Sequence, residues 1–393
     1  MKVLVISDTI EFSGAEESIL TLAKLLSQIK EVEVCFCSTR FIDNRIERLS
    51  FEDSYVINKK KPLSIEELYS TLLNPIIFAK VLRHCIEVAD DFRPDIIHSG
   101  VFLSLLPSIS VARRLKAPVI EHIHDYRALS LTDLPFLHGN ISQLSYTQEL
   151  KYYLQKVEFY KAVFAVGFRR FMQSLYNQCN LLIAVSNSVK ESLSPYLKPP
   201  IEVLYNAVDT NGEGGYDKRK RDKTSIVYSG RLSLAKGFPI FLKATKKLLR
   251  SGIDMEVHIT GRGELEAIAH RFARTYPKRV KFHGYLPSNE LYNLITSCHV
   301  TVHPSFWPEP CPLSVIKSVK LGTTAIASNR GGLSDLLPPK YLFKPNTKEL
   351  HNKLLEFVRN PDEFPPTLAT DTDPAAITSR LLHIYRLVMC GSG

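Results

Sequence analysis

A glutamate in a proline-rich turn opens the stretch whose residue types are best suited to chemistry. Glu309 stands in the sequence PSFWPEPCPLSVIKSVKLGTTAIASNRGGLSD, ahead of a predicted helix, Gly322 and the pair Gly331 and Gly332. A carboxylate accepts hydrogen bonds from hydroxyl groups, and free backbone amides at a helix start bind anions. The segment therefore predicts a site for a polyhydroxylated, phosphorylated ligand such as a nucleotide sugar.

Two cations follow a predicted strand in the sequence YSGRLSLAKGFPIFLKA. Arg231 and Lys236 lie in the loop between this strand and a predicted helix. A departing diphosphate gains negative charge, and fixed positive charge stabilises it. Arginine binds two oxygens at once, whereas lysine acts as a point charge. We expect these two side chains to bind a diphosphate; surface salt bridging is the alternative interpretation.

Two glycine-containing loops also follow predicted strands. Gly14, in SDTIEFSGAEESILTLAKLL, precedes a helix whose amino terminus offers N–H groups to an anion, although an ordinary strand-to-helix turn explains it equally well. Gly261 and Gly263 form a second such loop, but a single Gly-x-Gly pattern is common.

Histidines cluster at the end of another predicted strand, in EHIHDYRALS. His122 and His124 share one face of the strand, and Asp125 follows directly. His124 is suited to bind a sugar hydroxyl or a phosphate, and a structural histidine at a strand end is the alternative. For His122 and for His98, in DIIHSG, we favour the structural role.

Short apolar runs alternate with amphipathic segments along the chain, which predicts βα repeats and two parallel sheets of an α/β fold. The paired prolines and the Gly and Asn cluster of LKPPIEVLYNAVDTNGEGG indicate a domain boundary. We therefore predict domains at 1–198 and 199–374 and a last helix in 375–393. The strand predictions are KVLVIS, VEVCFC, DIIHS, APVIEHIH, NLLIAVS, SIVYSG, MEVHITG, VKFHG, VTVHP and TTAIAS.

Composition limits the classes of partner. The chain has 393 residues, 45% of them hydrophobic, with 50 Lys and Arg against 40 Asp and Glu, which favours anionic partners. The basic run at 218–223 predicts a solvated loop, and no nucleic-acid motif accompanies it. Seven scattered cysteines predict reduced thiols in a cytosolic protein. We predict neither a signal peptide nor a transmembrane helix.

The segments around Glu309 and Arg231 resemble those of retaining glycosyltransferases of the GT-B fold, family 4. The resemblance covers nearly the whole chain, and its strongest motifs lie in 228–335. It implies two Rossmann-like doubly wound domains that face each other across a cleft, with a C-terminal helix that returns to the first domain. It also implies sugar transfer from a UDP- or GDP-sugar to a glycan or lipid-linked glycan, without metal or other cofactor.

The same resemblance implies roles for individual residues. Glu309 would orient the sugar, Arg231 and Lys236 would stabilise the diphosphate, and His124 would assist at the acceptor side. Pro312 has no N–H to donate, so neighbouring amides would serve the sugar and phosphates. The donor-binding residues implied are Gly14, Gly261, Tyr285, Cys311, Pro312, Leu313, Ser314 and Lys317.

Lys317 departs from the family pattern, in which a second glutamate holds the ribose hydroxyls. A lysine there either contacts phosphate or points outward on a helix that has lost this role. The departure supports an alternative function, a catalytically weak or inactive GT-B protein that binds glycans or a partner enzyme.

Two other segments have alternative interpretations. The stretch KYYLQKVEFYKAVFAVGFRRFMQSLY predicts either an interfacial helix on an anionic membrane or a core-facing helix pair with a basic rim. Asp371 and Asp373 form an Asp-x-Asp pattern that elsewhere binds metal; here we expect no metal role, because they precede Pro374 in a polar loop.

Overall fold

A computed structural model describes residues 1–7, 14–39, 75–101, 104–129, 145–155, 159–208 and 223–391. Ser13 of the first glycine loop and residues 218–222 of the basic run lie outside these ranges. The described residues form two compact units. The first runs to Ala207 and resumes at Thr372, and the second comprises Val208–Asp371. Each contains one parallel sheet flanked by helices, which confirms the predicted two-domain Rossmann-like α/β fold.

The first unit has a six-stranded parallel sheet in the order β2-β1-β3-β4-β5-β6. The chain adds β2 on one side of β1 and then all later strands on the other, so the strand order reverses between β1 and β3. The middle strands are buried on both faces, as parallel sheets between helices require. The strands are β1 (Lys2–Ser7), β2 (Glu33–Ser38), β3 (Ile96–Ser99), β4 (Val119–Ile123), β5 (Leu181–Ala184) and β6 (Ile201–Val203).

Seven helices belong to the described part of this unit, and the last of them arrives from the far end of the chain. Ile377, Leu381 and Ile384 of that helix are buried with Val3 and Val5 of β1. This confirms the predicted return of the C-terminal helix. The helices are α1 (Gly14–Ser27), α2 (Pro75–Phe92), α3 (Leu105–Leu115), α4 (Tyr146–Leu154), α5 (Phe159–Tyr176), α6 (Asn187–Leu193) and α13 (Pro374–Cys390).

Asp373 has a structural role at the start of α13. Its carboxylate accepts hydrogen bonds from the amides of Ala375 and Ala376, which caps the helix. Among the helices of the described ranges, none is both long enough and apolar enough to cross a bilayer.

The second unit has a parallel sheet in the order β12-β11-β10-β7-β8-β9. Its strand order reverses between β7 and β10. The strands are β7 (Thr224–Ser229), β8 (Met255–Thr260), β9 (Val280–Phe282), β10 (Val300–His303), β11 (Thr324–Ser328) and β12 (Leu342–Phe343). The helices are α7 (Phe238–Arg250), α8 (Glu266–Thr275), α9 (Ser288–Ser297), α10 (Leu313–Lys320), α11 (Leu333–Leu336) and α12 (Thr347–Arg359).

All ten predicted strands are present, and the structure adds β6 and β12. β6 lies inside the segment that we predicted as a boundary loop, and it pairs with β5, so the first unit extends past residue 198 to Ala207. The strand escapes prediction because it has only three residues and directly follows two prolines. β12 has only two residues, too few to show any periodicity.

Buried histidines line the middle of the first sheet. His98 on β3 and His122 on β4 are almost inaccessible to solvent, with ring centroids 5.4 Å apart. His98 Nδ1 lies 2.6 Å from the hydroxyl of Tyr385 on α13. Burial, with a smaller effect from His124, lowers the pKa of His98 to about 3, and burial also lowers the pKa of His122. Both rings are therefore neutral in the folded protein at neutral pH.

These lowered pKa values predict that acid destabilises the first unit. Below pH 6.5 the unfolded chain binds a proton at His98 while the folded protein does not, until the pH approaches 3. The free energy of unfolding therefore falls with decreasing pH by about 1.4 kcal/mol per unit for each such histidine. Urea unfolding between pH 7 and pH 4 should show a shallower pH dependence in His98→Gln than in wild type.

The matched control is His383→Gln, at an exposed position on α13. Because His98→Gln also alters packing, the slope against pH is the diagnostic quantity, whereas the absolute stability is not. If the unfolding free energy of His98→Gln depends on pH as steeply as that of wild type, the pKa of His98 is not lowered in the folded protein.

Candidate functional site

The candidate site of the second unit lies where the strand order of its sheet reverses. All its strands are parallel, so the loops that follow β7, β8, β10 and β11 lie at one edge of the sheet. Ligands of open α/β sheets bind outside the carboxyl ends of the strands at such a reversal. The loops after β7 and β10 flank this point, and they carry the predicted residues Arg231, Lys236 and Glu309.

The loop after β7 is pressed against the loop after β10. Gly237 has a φ of 66°, and a Cβ there would lie 1.7 Å from the carbonyl oxygen of Pro304, so only glycine fits. The amides of Phe306 and Trp307 both donate to the carbonyl of Ala235, at 2.9 and 3.0 Å. The two loops therefore form one packed structure.

Lys236 and Glu309 form an ion pair across these two loops. The ammonium Nζ lies 2.6 Å from Glu309 Oε1 and 2.8 Å from Oε2. The Glu309 side chain is only 10% exposed, whereas that of Lys236 is 37% exposed. Ser305 Oγ also donates to Oε1. The carboxylate is thus fixed in place, and the ammonium retains access to solvent and to a ligand.

The main chain of Glu309 is also held in place. The amide of Gly332 donates to the Glu309 carbonyl at 2.6 Å, and Gly331 pairs with Glu309 in an isolated parallel bridge. Gly331 has a φ of 58°, and a Cβ there would lie 2.5 Å from the Glu309 oxygen. The paired glycines of the sequence therefore have a steric role: they let the loop after β11 approach Glu309.

The charges of the site favour an anion. Arg231 is exposed, and within the described ranges its guanidinium has no side-chain or carbonyl partner. The hydroxyl of Tyr228 donates to the Arg231 carbonyl at 2.8 Å, which fixes the start of the loop. His303, at the end of β10, is neutral at pH 7: burial lowers its pKa to about 4, Glu309 opposes this shift, and Lys236 adds to it. Because Lys236 and Glu309 compensate each other, Arg231 contributes net positive charge.

The loops after β8 and β9 lie beside the loop after β7. The amide of Gly261 donates to the Gly284 carbonyl at 2.8 Å, and a Cβ on Gly261 would lie 1.9 Å from the Gly230 oxygen. Tyr285 follows and is 61% exposed, with the guanidinium of Arg262 5.1 Å from its ring centroid. Gly261 therefore allows close approach of backbones, and Tyr285 offers an accessible aromatic surface.

The predicted amide donors lie at the start of α10. Cys311 is buried, Pro312 immediately precedes the helix, and Leu313 and Ser314 are its first two residues. The orphan N–H groups of this first turn, together with the helix dipole, suit an anion.

Lys317 lies in the second turn of α10. It is half-buried, and its ammonium donates a 2.7 Å hydrogen bond to the hydroxyl of Tyr292 on α9. The side chain therefore does not point outward into solvent. Tyr292 itself is 4% exposed and belongs to the core between α9 and the sheet.

The remaining predicted residues, Gly14 and His124, belong to the first unit. Gly14 is the first residue of α1, and the residue before it, Ser13, lies outside the described residues. His124 follows β4, and its ring centroid lies 4.4 Å from that of His122. Burial lowers the pKa of His124 to about 4, against an opposing effect of Asp125. The ring is neutral at pH 7, so one ring nitrogen can donate and the other can accept.

Sequence reasoning missed three residues that shape the site. Ser305 binds Glu309 from four residues earlier in the same loop, a spacing that could have drawn attention to it. Tyr228 and Tyr292 contribute hydroxyl groups to the site. The hydrophobic pattern predicts that both lie in buried elements, but it does not identify the groups to which their hydroxyls bond.

The geometry at Gly331 yields a prediction with a close control. Gly331→Ala places a methyl group against the Glu309 carbonyl, so it should displace that residue and weaken UDP binding, measured by calorimetric titration, by about tenfold or more. Gly322→Ala puts the same strain on a residue with φ of 82° but meets nothing within 4 Å. We expect Gly322→Ala to lose about 1 kcal/mol of stability, and Gly331→Ala to lose more because its methyl group also meets backbone atoms. Equal UDP affinities in the two variants would contradict the steric role.

Sequence comparisons identify relatives of both units. The profile described as Glycosyltransferase Family 4 matches residues 12–211, and the profile described as Glycosyl transferases group 1 matches residues 217–370. A glycogen synthase of Mycobacterium tuberculosis is 24% identical over 254 residues, which cover 62% of this chain and 54% of that protein. The uncharacterized glycosyltransferase MJ1607 of Methanocaldococcus jannaschii is 26% identical over 210 residues, 49% of this chain and 50% of its own length. The matches thus span about half the length of these curated relatives.

Solved structures share the fold over nearly the whole chain. Anabaena Alr3699/HepE in complex with UDP superposes with a TM-score of 0.64 at 17% identity, covering 98% of this chain and 100% of that one. Sucrose-phosphate synthase from Thermosynechococcus elongatus gives 0.69 at 16% identity over 99% of each chain. These likenesses establish the GT-B fold. The profile described as Glycosyltransferase Family 4 matches residues 12–211, about half of this chain. The chain therefore belongs to glycosyltransferase family 4.

Proposed function

We propose that this protein is a retaining glycosyltransferase that moves a sugar from a UDP- or GDP-sugar to a hydroxyl group of a glycan or lipid-linked glycan. The observation that carries the proposal is the bidentate Lys236–Glu309 ion pair at the strand-order reversal of the second sheet. The loop of Lys236 also carries Arg231, whose exposed guanidinium has no side-chain or carbonyl partner among the described residues. The loop after β7 thus offers cations to a diphosphate, and the adjoining loop after β10 offers a fixed carboxylate to sugar hydroxyls.

The proposed mechanism uses the unequal exposure of the ion pair. Lys236, with the more accessible side chain, contacts a diphosphate oxygen while it remains next to Glu309. Arg231 adds a second cation, and together they stabilise the negative charge that develops as the bond to the leaving group breaks. Glu309 already has two donors on Oε1, so Oε2 is the oxygen better placed to accept a sugar hydroxyl.

Retention follows if departure and attack occur on the same face of the sugar. The bond between the anomeric carbon and the phosphate oxygen breaks, and the acceptor oxygen forms a bond to that carbon. The acceptor proton passes to the departing phosphate, so no dedicated protein base is needed. His124 is proposed to assist at the acceptor side, because its neutral ring can accept or donate a hydrogen bond.

The similar proteins support uridine as the base. Alr3699/HepE structures contain UDP, UDP with glucose, and UDP-glucose.

We also propose a cytoplasmic location. Reducing conditions there would keep all seven cysteines as free thiols, the state that they have in the structure.

Donor binding can be tested by calorimetric titration with UDP, GDP and their glucose conjugates. Lys236→Met and Arg231→Ala should each weaken UDP binding by about 10- to 100-fold, the effect of losing a hydrogen bond to a charged group. The matched control is Lys243→Met, an exposed lysine on α7 away from the two loops. A wild-type protein that binds none of these nucleotides, or equal loss in the control, would contradict the donor site.

Glu309→Gln separates sugar recognition from nucleotide binding. The variant should keep most of its affinity for UDP but lose the preference for UDP-glucose over UDP, because a neutral amide is a weaker acceptor for hydroxyl groups than a carboxylate.

Product analysis by NMR tests the stereochemistry of transfer. An inverted anomeric configuration in the product would refute retention.

We further propose that transfer needs no divalent metal, because Arg231 and Lys236 supply positive charge to the diphosphate. Activity of the purified protein should then persist after EDTA treatment. A loss of activity that Mg²⁺ or Mn²⁺ restores would show that a metal shares this role.

A catalytically weak GT-B protein that binds glycans or a partner enzyme is the second candidate, and Lys317 favours it. A lysine stands where the family has its second glutamate, and it is engaged with Tyr292. If this residue disables the donor site, wild type should fail to bind nucleotides while Lys317→Glu gains binding. If the site functions, Lys317→Glu should leave UDP affinity the same or reduce it.

A further inference from the structure

α5 is apolar on both of its faces. Its inner face packs within the first unit through buried residues that include Ala162, Met172, Leu175 and Tyr176. The outer face, which we name the aromatic face of α5, consists of Phe159, Tyr160, Val163, Phe164 and Phe171, at helical spacing on the opposite side. The outward side of a surface helix normally carries polar and charged residues, so five large apolar side chains there are unusual.

The exposure of this face is unusual within the described part of the chain. Phe159 and Tyr160 are 68% and 65% exposed, and the other three members are 41–46% exposed. With Tyr146 and Leu154 of α4, they account for seven of the twelve large apolar side chains that are exposed in the described ranges. Single exposed apolar residues are normal, whereas a contiguous patch indicates an interaction surface.

Buried polar contacts keep the aromatic face turned outward. Arg169, on the inner side of α5, forms an ion pair with Glu149 of α4, and both side chains are 1% exposed. Arg169 also donates to the Leu129 carbonyl at 3.0 Å, and Gln173 donates to the Ala128 carbonyl at 2.7 Å. Rotating α5 to bury its aromatic residues would break these contacts and leave a buried charge unpaired, which is strongly unfavourable.

The sequence around the aromatic face is basic, and α4 and α5 each carry an exposed cation among the described residues. Residues 145–180 contain five basic side chains, Lys151, Lys156, Lys161, Arg169 and Arg170, and only two acidic ones, Glu149 and Glu158. Arg169 and Glu149 neutralise each other in the buried pair. Arg170 is exposed on the same side of α5 as the aromatic residues, and Lys151 is exposed on α4.

We propose that the aromatic face of α5 docks the protein on the surface of an anionic lipid bilayer. Aromatic side chains insert at the headgroup level, and flanking lysine and arginine bind anionic headgroups. Charge complementarity selects this occupant over a second copy of the chain, because two identical basic faces repel each other. The surface goes beyond the proposed transfer reaction and does not depend on it.

Vesicle cosedimentation of the full chain tests the proposal. Wild type should sediment with mixed phosphatidylcholine and phosphatidylglycerol vesicles and remain in the supernatant with pure phosphatidylcholine. The double variant Phe159→Ser and Tyr160→Ser should reduce binding to the mixed vesicles by about tenfold or more. Leu387→Ser, at a position that is 56% exposed on α13, is the matched control and should bind like wild type.

A charge variant separates the electrostatic contribution. Arg170→Gln should weaken binding to mixed vesicles by about fivefold, the effect of one cation near an anionic surface. The control Lys30→Gln removes an exposed lysine elsewhere in the first unit and should have less effect. Equal binding to both vesicle types, or no binding, would overturn the proposal. Self-association of wild type that the double variant abolishes, without vesicle binding, would instead identify an interface between copies.

Fluorescence provides a site-resolved readout of insertion. Trp307, in the second unit, is the single tryptophan of the chain. In Phe164→Trp, brominated phosphatidylglycerol in the vesicles should quench the new fluorophore strongly, whereas wild type reports only the signal of Trp307. Equal quenching in both proteins would contradict insertion of the aromatic face. Unchanged circular dichroism and an unchanged urea midpoint verify that each variant is folded.

Discussion

The arrangement of the second unit's site depends on one requirement: the nearly buried carboxylate of Glu309 must stay paired with a cation. A buried carboxylate without a partner is strongly unfavourable, so Glu309 requires its cation and its hydrogen-bond donors. Lys236 can reach it only because the loops after β7 and β10 touch at Gly237 and Pro304. The strand order brings the two loops together, and their contact places Lys236 next to Glu309.

The sequence predicts the parts of this arrangement that arise from pattern and order. Ten of the strands follow from apolar periodicity, and parallel strands oblige the loops with Arg231, Lys236 and Glu309 to share one edge. The very short β6 and β12 carry too little periodicity to be recognised. Hydroxyl partners such as Ser305 and Tyr292 depend on side-chain directions set by tertiary packing, which a local pattern does not encode.

Lys317 illustrates how a substitution can be absorbed by its surroundings. The resemblance implies a carboxylate at this position, and a lysine reverses the sign of the charge. Here the ammonium donates to Tyr292, whose hydroxyl accepts without carrying a formal charge. Lys317 affects a bound ligand only if its ammonium group leaves the Tyr292 hydroxyl and donates to a phosphate oxygen instead.

The path of the chain through α13 has a consequence for biosynthesis. The core of the first unit includes Ile377, Leu381 and Tyr385, which the ribosome adds only after the whole second unit. Translation adds about 5–20 residues per second, so the apolar surface on β1 and α1 stays uncovered for on the order of ten seconds or more before α13 is made. The core of the nascent first unit therefore stays incomplete until the second unit and the last helix have been synthesised.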